Sequence, residues 1–190
     1  DVEVGQDTVI LPGTMLQGKT KVGKNCTLGP DTQLTDVICG DGNHLNRVYA
    51  HSCELGDNNE IGPFVHLRPE TCLHNDIKIG NFVEVKNSDV DDGTKLPHLI
   101  YCGDSDLGKN VNFGCGTVTV NFDGKNKHRC TIDEHAFIGC NTNLVAPVHI
   151  GARAFTAAGS TITKDVPAKA LAVGRAKQVN IENWVKEDTY

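Results

Sequence analysis

The sequence predicts an all-β protein built as a single-stranded parallel β-helix, on three observations. Aliphatic residues recur at every sixth position, glycine often follows them, and a small or β-branched residue stands four positions after them. A step of six is even, so each marked residue points to the same side of an extended chain. A helix of 3.6 residues per turn gives no shared face at that step.

The first run is Val4, Ile10, Leu16, Val22, Leu28 and Leu34. A second is Leu55, Ile61, Leu67, Leu73, Ile79 and Val85, and a third is Ile132, Ile138, Leu144 and Ile150, with Thr156 and Ile162 in step. Leu107, Phe113 and Thr119 form a shorter run between them. Each hexad reads as a short strand and a turn, and three hexads close one triangular coil. Aliphatic residues then stack inward, small residues such as Thr20, Cys26 and Thr142 leave room at the corners, and glycine relaxes the turns. An inert repeat of the ice-binding kind would have monotonous walls and no large insertion; this chain has varied walls and an insertion.

The breaks in the repeat are equally informative. Residues 35–54 read as an irregular coil spacing without assigned chemistry, and between 86 and 107 the step falls to five twice. The clearest break is the polar, Lys- and Arg-rich stretch 120–131, expected as a loop protruding from the solenoid, where functional residues tend to lie. Pro167 is expected to stop the register, leaving 1–165 as the β-helix and 166–190 as a strand and tail, with a short helix over 180–188. The repeat already runs at Val4 and the chain begins without Met, which reads as an excerpt of a longer protein.

Composition excludes several classes. A net charge of −6 argues against a general nucleic-acid or anionic-membrane surface, and no run of about 18 apolar residues offers a transmembrane helix. The eight cysteines contain no C-x-x-C pair and read as free thiols of a reducing cytoplasm.

Particular segments carry a family signal: Ile79-Gly-Asn-Phe-Val-Glu-Val-Lys86, Pro97-His98-Leu-Ile-Tyr101-Cys-Gly-Asp, Gly108-Lys-Asn-Val-Asn112-Phe-Gly-Cys-Gly-Thr117, Asn121-Phe-Asp-Gly-Lys-Asn-Lys127, Asn143-Leu-Val-Ala-Pro-Val148 and Ala157-Ala-Gly-Ser-Thr-Ile-Thr-Lys-Asp165. In this order they resemble the C-terminal acetyltransferase domain of the bacterial bifunctional N-acetylglucosamine-1-phosphate uridyltransferase / glucosamine-1-phosphate acetyltransferase. The match is dense from Ile61 to Arg175; before that only the hexads agree.

The resemblance implies a left-handed coil, a homotrimer with active sites between subunits, and acetyl transfer from acetyl-CoA to glucosamine 1-phosphate for cell-wall precursors. It implies no metal for this domain, and the Gly-rich nucleotide signature of the family's uridylyltransferase domain is absent. An amine attacking a thioester must lose a proton, and a histidine with a pKa near ~6.5 suits that task. His98 stands where the family places this base, and Glu84 where it places the carboxylate that orients it. Arg68 and Lys86 match positions that hold the acceptor's anionic end, and Tyr101 and Asn112 positions that hydrogen-bond it. The cofactor-side positions correspond to Cys115, Asn121, Phe122, Cys140, Ala158 and Arg175, with Lys177, Lys125 or Lys127 as further partners for CoA phosphates. Cys115, Phe122 and Cys140 depart from the family's usual Ala, Tyr and Ser, and Leu96-Pro97 from its usual Ala-Gly.

Three other readings stay open. Another hexapeptide acyltransferase would differ in its acceptor. A γ-class carbonic anhydrase needs an H-x-x-x-x-H pair, which the sequence lacks. A non-catalytic β-helix binding module would have no use for His98 beside Arg68, Lys86 and Tyr101.

Overall fold

The computed structural model describes residues 1–185. Within them every regular element is a strand, and the strands stack in parallel, each on its counterpart in the next coil. The first wall is a 9-stranded sheet. Its inward ladder runs Val4, Val22, Cys39, Leu55, Leu73, Val90, Leu107, Ile132, Ile150 and Val166. The second wall stacks Leu28, Leu45, Ile61, Ile79, Leu96, Phe113 and Ile138, and the third Leu34, Ala50, Leu67, Val85, Cys102, Thr119 and Leu144. The register from Leu96 to Phe113 follows from the pairing of Lys95 with Asn112. Apart from Val4, which is exposed on the first coil, these ladders form a continuous buried core, with Phe113 its largest fully buried side chain. No single coil could bury its apolar side alone; neighbours supply the cover.

Coil length explains the irregular spacings. Val4 pairs with Val22, but Cys39 pairs with Leu55 and Val90 with Leu107, so the stretches read as breaks are coils shorter by one or two residues. From Leu107 to Ile132 the step lengthens to 25 residues, and the surplus is the expelled loop.

The glycines work differently from the expectation. Of those that follow the aliphatic residue, only Gly29 and Gly62 have positive φ; elsewhere left-handed backbone falls mainly to Asp and Asn at the corners, such as Asn25, Asn58, Asp76 and Asn110. A Cβ on Gly23 would lie 2.5 Å from the carbonyl carbon and oxygen of Gly40, and one on Gly80 would lie 2.0 Å from the oxygen of Pro97. These glycines allow successive coils to approach. The small corner residues are buried as expected, and their hydroxyls satisfy turn carbonyls: Thr142 donates to Gly139 O at 2.6 Å and Thr20 to Gln17 O at 2.7 Å. Thr142→Val keeps the shape and orphans a carbonyl, so urea unfolding is expected to show a loss of about 1–2 kcal/mol.

The strand expected beyond Pro167 is Leu171–Ala172, which pairs in parallel with Phe155–Thr156, and Val166 bridges to Ile150, so both stack on the preceding coil. Proline is tolerated because it sits in the turn between these partners. Residues 180–185 carry no helix, and the rest of the segment expected as one lies outside the described residues. The described cysteines are free, and Cys140 is exposed. No helix among the described residues is long and apolar enough to cross a membrane.

Candidate active site

Two nine-residue strands, Lys78–Lys86 and Lys95–Gly103, run around the corner between the second and third walls. Their register sets Asn81 beside His98, Glu84 beside Tyr101 and Lys86 beside Gly103. Each bends at a bulky residue in left-handed conformation, Phe82 with φ 58° and Leu99 with φ 51°. Such residues persist only where the surroundings over-determine them. The bend divides the candidate residues into two groups.

The group on the third wall is cationic. Arg68 Nη1 donates to Glu84 Oε1 at 2.8 Å. Lys86 Nζ lies 3.3 Å from Asp104 Oδ1, with only 17% and 4% of the two side chains exposed. Asn87 and Asn121 each donate a side-chain N–H to the same Asp104 carboxylate, and Asn121 also reaches the Tyr101 hydroxyl at 3.4 Å. Burial works to raise the Asp104 pKa, but the donors Asn87, Asn121 and Lys86 outweigh it and hold it below the usual carboxylate range. The Lys127 amine comes against Lys86. That contact lowers the pKa of Lys127, while Lys86, with Lys127 and Asp104 as partners, is held in its charged form.

The group on the second wall is a column. Because Leu96 stacks on Phe113, Phe113 on Ile138 and Ile138 on Thr156, the residues two positions further on also stack: His98, Cys115, Cys140 and Ala158. The backbone confirms the alignment, with Gly116 N donating to His98 O, Asn141 N to Cys115 O and Gly159 N to Cys140 O. Arg175 follows on the next coil, its Cδ lying 3.8 Å from a Cβ built on Gly159. A Cβ on Gly114 would meet Cys140 N at 2.5 Å, which shows how tightly the coils lie beneath this ridge. His98 is exposed and shares a concavity of about 280 Å³ with Lys78, Lys95, Pro97 and Asn112.

Two expectations change. Glu84 gives its carboxylate to Arg68, and among the described residues no hydrogen bond or ion pair joins it to His98. The bend at Leu99 turns His98 onto the other wall. Asn112 lines the His98 concavity. Asn121 is not on the cofactor-side ridge but buried under the cationic group, whereas Phe122 is 55% exposed in the loop. One residue escaped the sequence reading, and another lies elsewhere than expected. Asp104 stands in a corner column with Asp36, Ser52, Glu70 and Asn87, and the local pattern carries no sign of its burial. Lys127 was expected on the CoA side, but the bridge between Phe122 and Lys127 folds the loop back toward Lys86. Arg129 anchors the loop's base by bonding Asp106, Asn87 O and Ser105 O.

No family model matches the sequence. The chain is 52% identical over 185 residues to the bifunctional protein GlmU of Geobacillus sp. (strain WCH70), covering 97% of this chain and 40% of that one. It is 56% identical over 187 residues to the bifunctional protein GlmU of Caldanaerobacter subterraneus subsp. tengcongensis, covering 98% of this chain and 41% of that one. The similarity thus extends well ahead of Ile61. Among solved structures, the Arabidopsis UDP-N-acetylglucosamine acyltransferase superposes with a TM-score of 0.60 at 15% identity, over 91% of this chain and 67% of that one, which shows the fold. The chain is a relative, along nearly its whole length, of the bifunctional GlmU proteins, of which it spans 40–41%, and it is folded as the hexapeptide-repeat left-handed β-helix.

Proposed function

We propose that the chain transfers the acetyl group of acetyl-CoA to the amine of glucosamine 1-phosphate, giving N-acetylglucosamine 1-phosphate, and does so as a homotrimer in the cytoplasm. The observation that carries this reading is the convergence of Arg68, Lys86 and Lys127 on one rim, in a chain 52–56% identical to bifunctional GlmU proteins. Arg68, Lys86 and Lys127 stand against the carboxylates of Glu84 and Asp104, which leaves one positive charge in surplus for a phosphate.

His98 is the general base. Its imidazole takes a proton from the acceptor amine as the nitrogen attacks the thioester carbonyl. The tetrahedral intermediate then collapses, the C–S bond breaks, and the His98 imidazolium returns its proton to the departing thiolate, so that CoA leaves as the thiol. The ridge of Cys115, Cys140 and Ala158 gives pantetheine a shallow track that ends at Arg175, a partner for CoA phosphate. No step requires a metal.

Trimer formation accounts for the division of the site. Within one chain the bend at Phe82 and Leu99 separates base from cationic rim, so a neighbouring subunit brings the second half. A groove of about 950 Å³ on the third wall, lined by Tyr49, Phe64, Phe82, Leu99 and Tyr101, supports this packing. Phe64, Phe82 and Leu99 are each more than half exposed in the single chain.

The test is release of CoA thiol with glucosamine 1-phosphate as acceptor, against glucosamine and other amino sugars. Turnover that depends on the phosphate is expected; equal rates with glucosamine would refute the assignment. Lys127→Ala is expected to raise KM for the sugar phosphate about tenfold with kcat within about threefold, the signature of lost ground-state binding.

A further inference from the structure

The first wall carries a set of donors that the transfer reaction does not use. Leu73 stacks on Val90, and this register places Cys72 beside Asp89 and His74 beside Asp91 on the outer surface. The potential donor atoms of Cys72, His74 and Asp89 all lie within 4.8 Å of one another. His74 Nε2 is 3.0 Å from Asp89 Oδ1, and its Nδ1 faces Asp91 Oδ1 at 4.0 Å.

We propose that Cys72, His74 and Asp89 form a binding site for a zinc-class divalent cation, with water in the fourth position. Thiolate, imidazole and carboxylate are the donor set that zinc accepts, whereas calcium and magnesium favour oxygen alone. Bonds of about 2.0–2.3 Å place the ligands of a tetrahedral zinc roughly 3.3–3.8 Å apart. The present spacing, 3.0 Å between His74 and Asp89 and no more than 4.8 Å for the others, needs only side-chain rotation to reach that range. A cation entering between His74 and Asp89 replaces their hydrogen bond with two coordination bonds.

The surroundings choose this triad over the alternative. His74 with Asp91 and Asp92 also clusters, but Asp92 is already engaged by Lys109 Nζ at 2.9 Å and by the backbone and side-chain amides of Asn75. Among the described residues no Lys or Arg pairs with Asp91; its carboxylate, 4.0 Å from Nδ1, is placed to accept from that nitrogen once Nε2 turns to the metal, the arrangement common around metal-bound histidines. Of the other acids in the same concavity, Asp106 is paired with Arg129 and Asp133 with His149. The unpaired charge therefore centres on Asp89 and Asp91, and Glu54, in register with Cys72, adds to the negative field.

Cobalt(II) titration followed by absorption tests the site, because a thiolate ligand gives a charge-transfer band in the near ultraviolet. The chain is expected to bind one equivalent of cobalt with that band, and zinc to displace it. Cys72→Ser should abolish the band, His74→Gln and Asp89→Asn should each weaken affinity at least tenfold, and Asp91→Asn should weaken it about tenfold. Asp92→Asn should leave it unchanged. These side chains are at the surface, and unchanged thermal melting of each variant verifies folding. Absence of the band in the unaltered chain, or its persistence in Cys72→Ser with Cys115 or Cys140 as the thiolate, would overturn the proposal.

Discussion

His98→Ala is expected to lower acetyl transfer by about 10²- to 10⁴-fold, the usual contribution of a positioned general base. The loss should fall on kcat, with KM for acetyl-CoA and the sugar phosphate changed little. His98 is exposed and stands at the head of the Cys115–Cys140–Ala158 ridge, so its removal creates no cavity. Melting temperature should accordingly stay within about 1–2 °C of the unaltered chain, since surface changes usually cost under ~0.5 kcal/mol. A kcat within threefold of the original would remove His98 as the base.

Asp104→Asn is expected to cost about 2–3 kcal/mol, because the carboxylate accepts from Lys86, Asn87 and Asn121 in a site of which its side chain exposes 4%. Asparagine tolerates the left-handed backbone that Asp104 adopts at φ 49°, so the substitution isolates the charge. Its amide presents a donor where three donors converge, and Lys86, Lys127 and Arg68 lose their shared counter-charge. KM for the sugar phosphate should rise with the loss of order at the rim. The pH dependence has a definite sign. The Asp104 pKa is lowered by folding, so its contribution is complete above the ordinary carboxylate value near ~3.9 and is lost as pH falls through the lower folded value. The acid limb of unfolding should therefore be shallower in Asp104→Asn; an identical acid limb in both proteins would contradict the charged state assigned here.

The solenoid was legible in the sequence because its cause is periodic. Every sixth residue faces the core, and a chain can announce that with Leu28, Leu34 or Ile138 without reference to distant contacts. The short coils at 39–55 and 73–107 were legible as irregular steps for the same reason. The function of the glycines was not: that Gly80 yields to Pro97 rather than adopting a left-handed turn depends on the coil above it. Pro167 marks the end of the regular hexads, and the strand expected after it pairs in parallel at Leu171.

The site follows the same division. Resemblance singled out His98, Arg68, Lys86 and Tyr101 as candidates, and stacking explains why Cys115, Cys140 and Ala158 share one ridge despite uneven spacing. Resemblance could not separate the two walls. Leu99 sits only one residue beyond His98, yet its backbone turns the chain so that His98 and Tyr101 face different ways. Nor could it disclose Asp104, whose role depends on Asn121 and Lys127 returning from a loop of irregular geometry.

The division of the site between two walls gives the account its most direct test. A His98→Ala chain and an Arg68→Ala/Lys127→Ala chain, each nearly inactive below the acceptor's KM, can be unfolded together, reassembled at equal amounts and assayed. If each site takes its base from one subunit and its cationic rim from the neighbour, random trimers regain about a quarter of the unaltered activity. If base and rim act within one chain, the mixture stays as inactive as its parents.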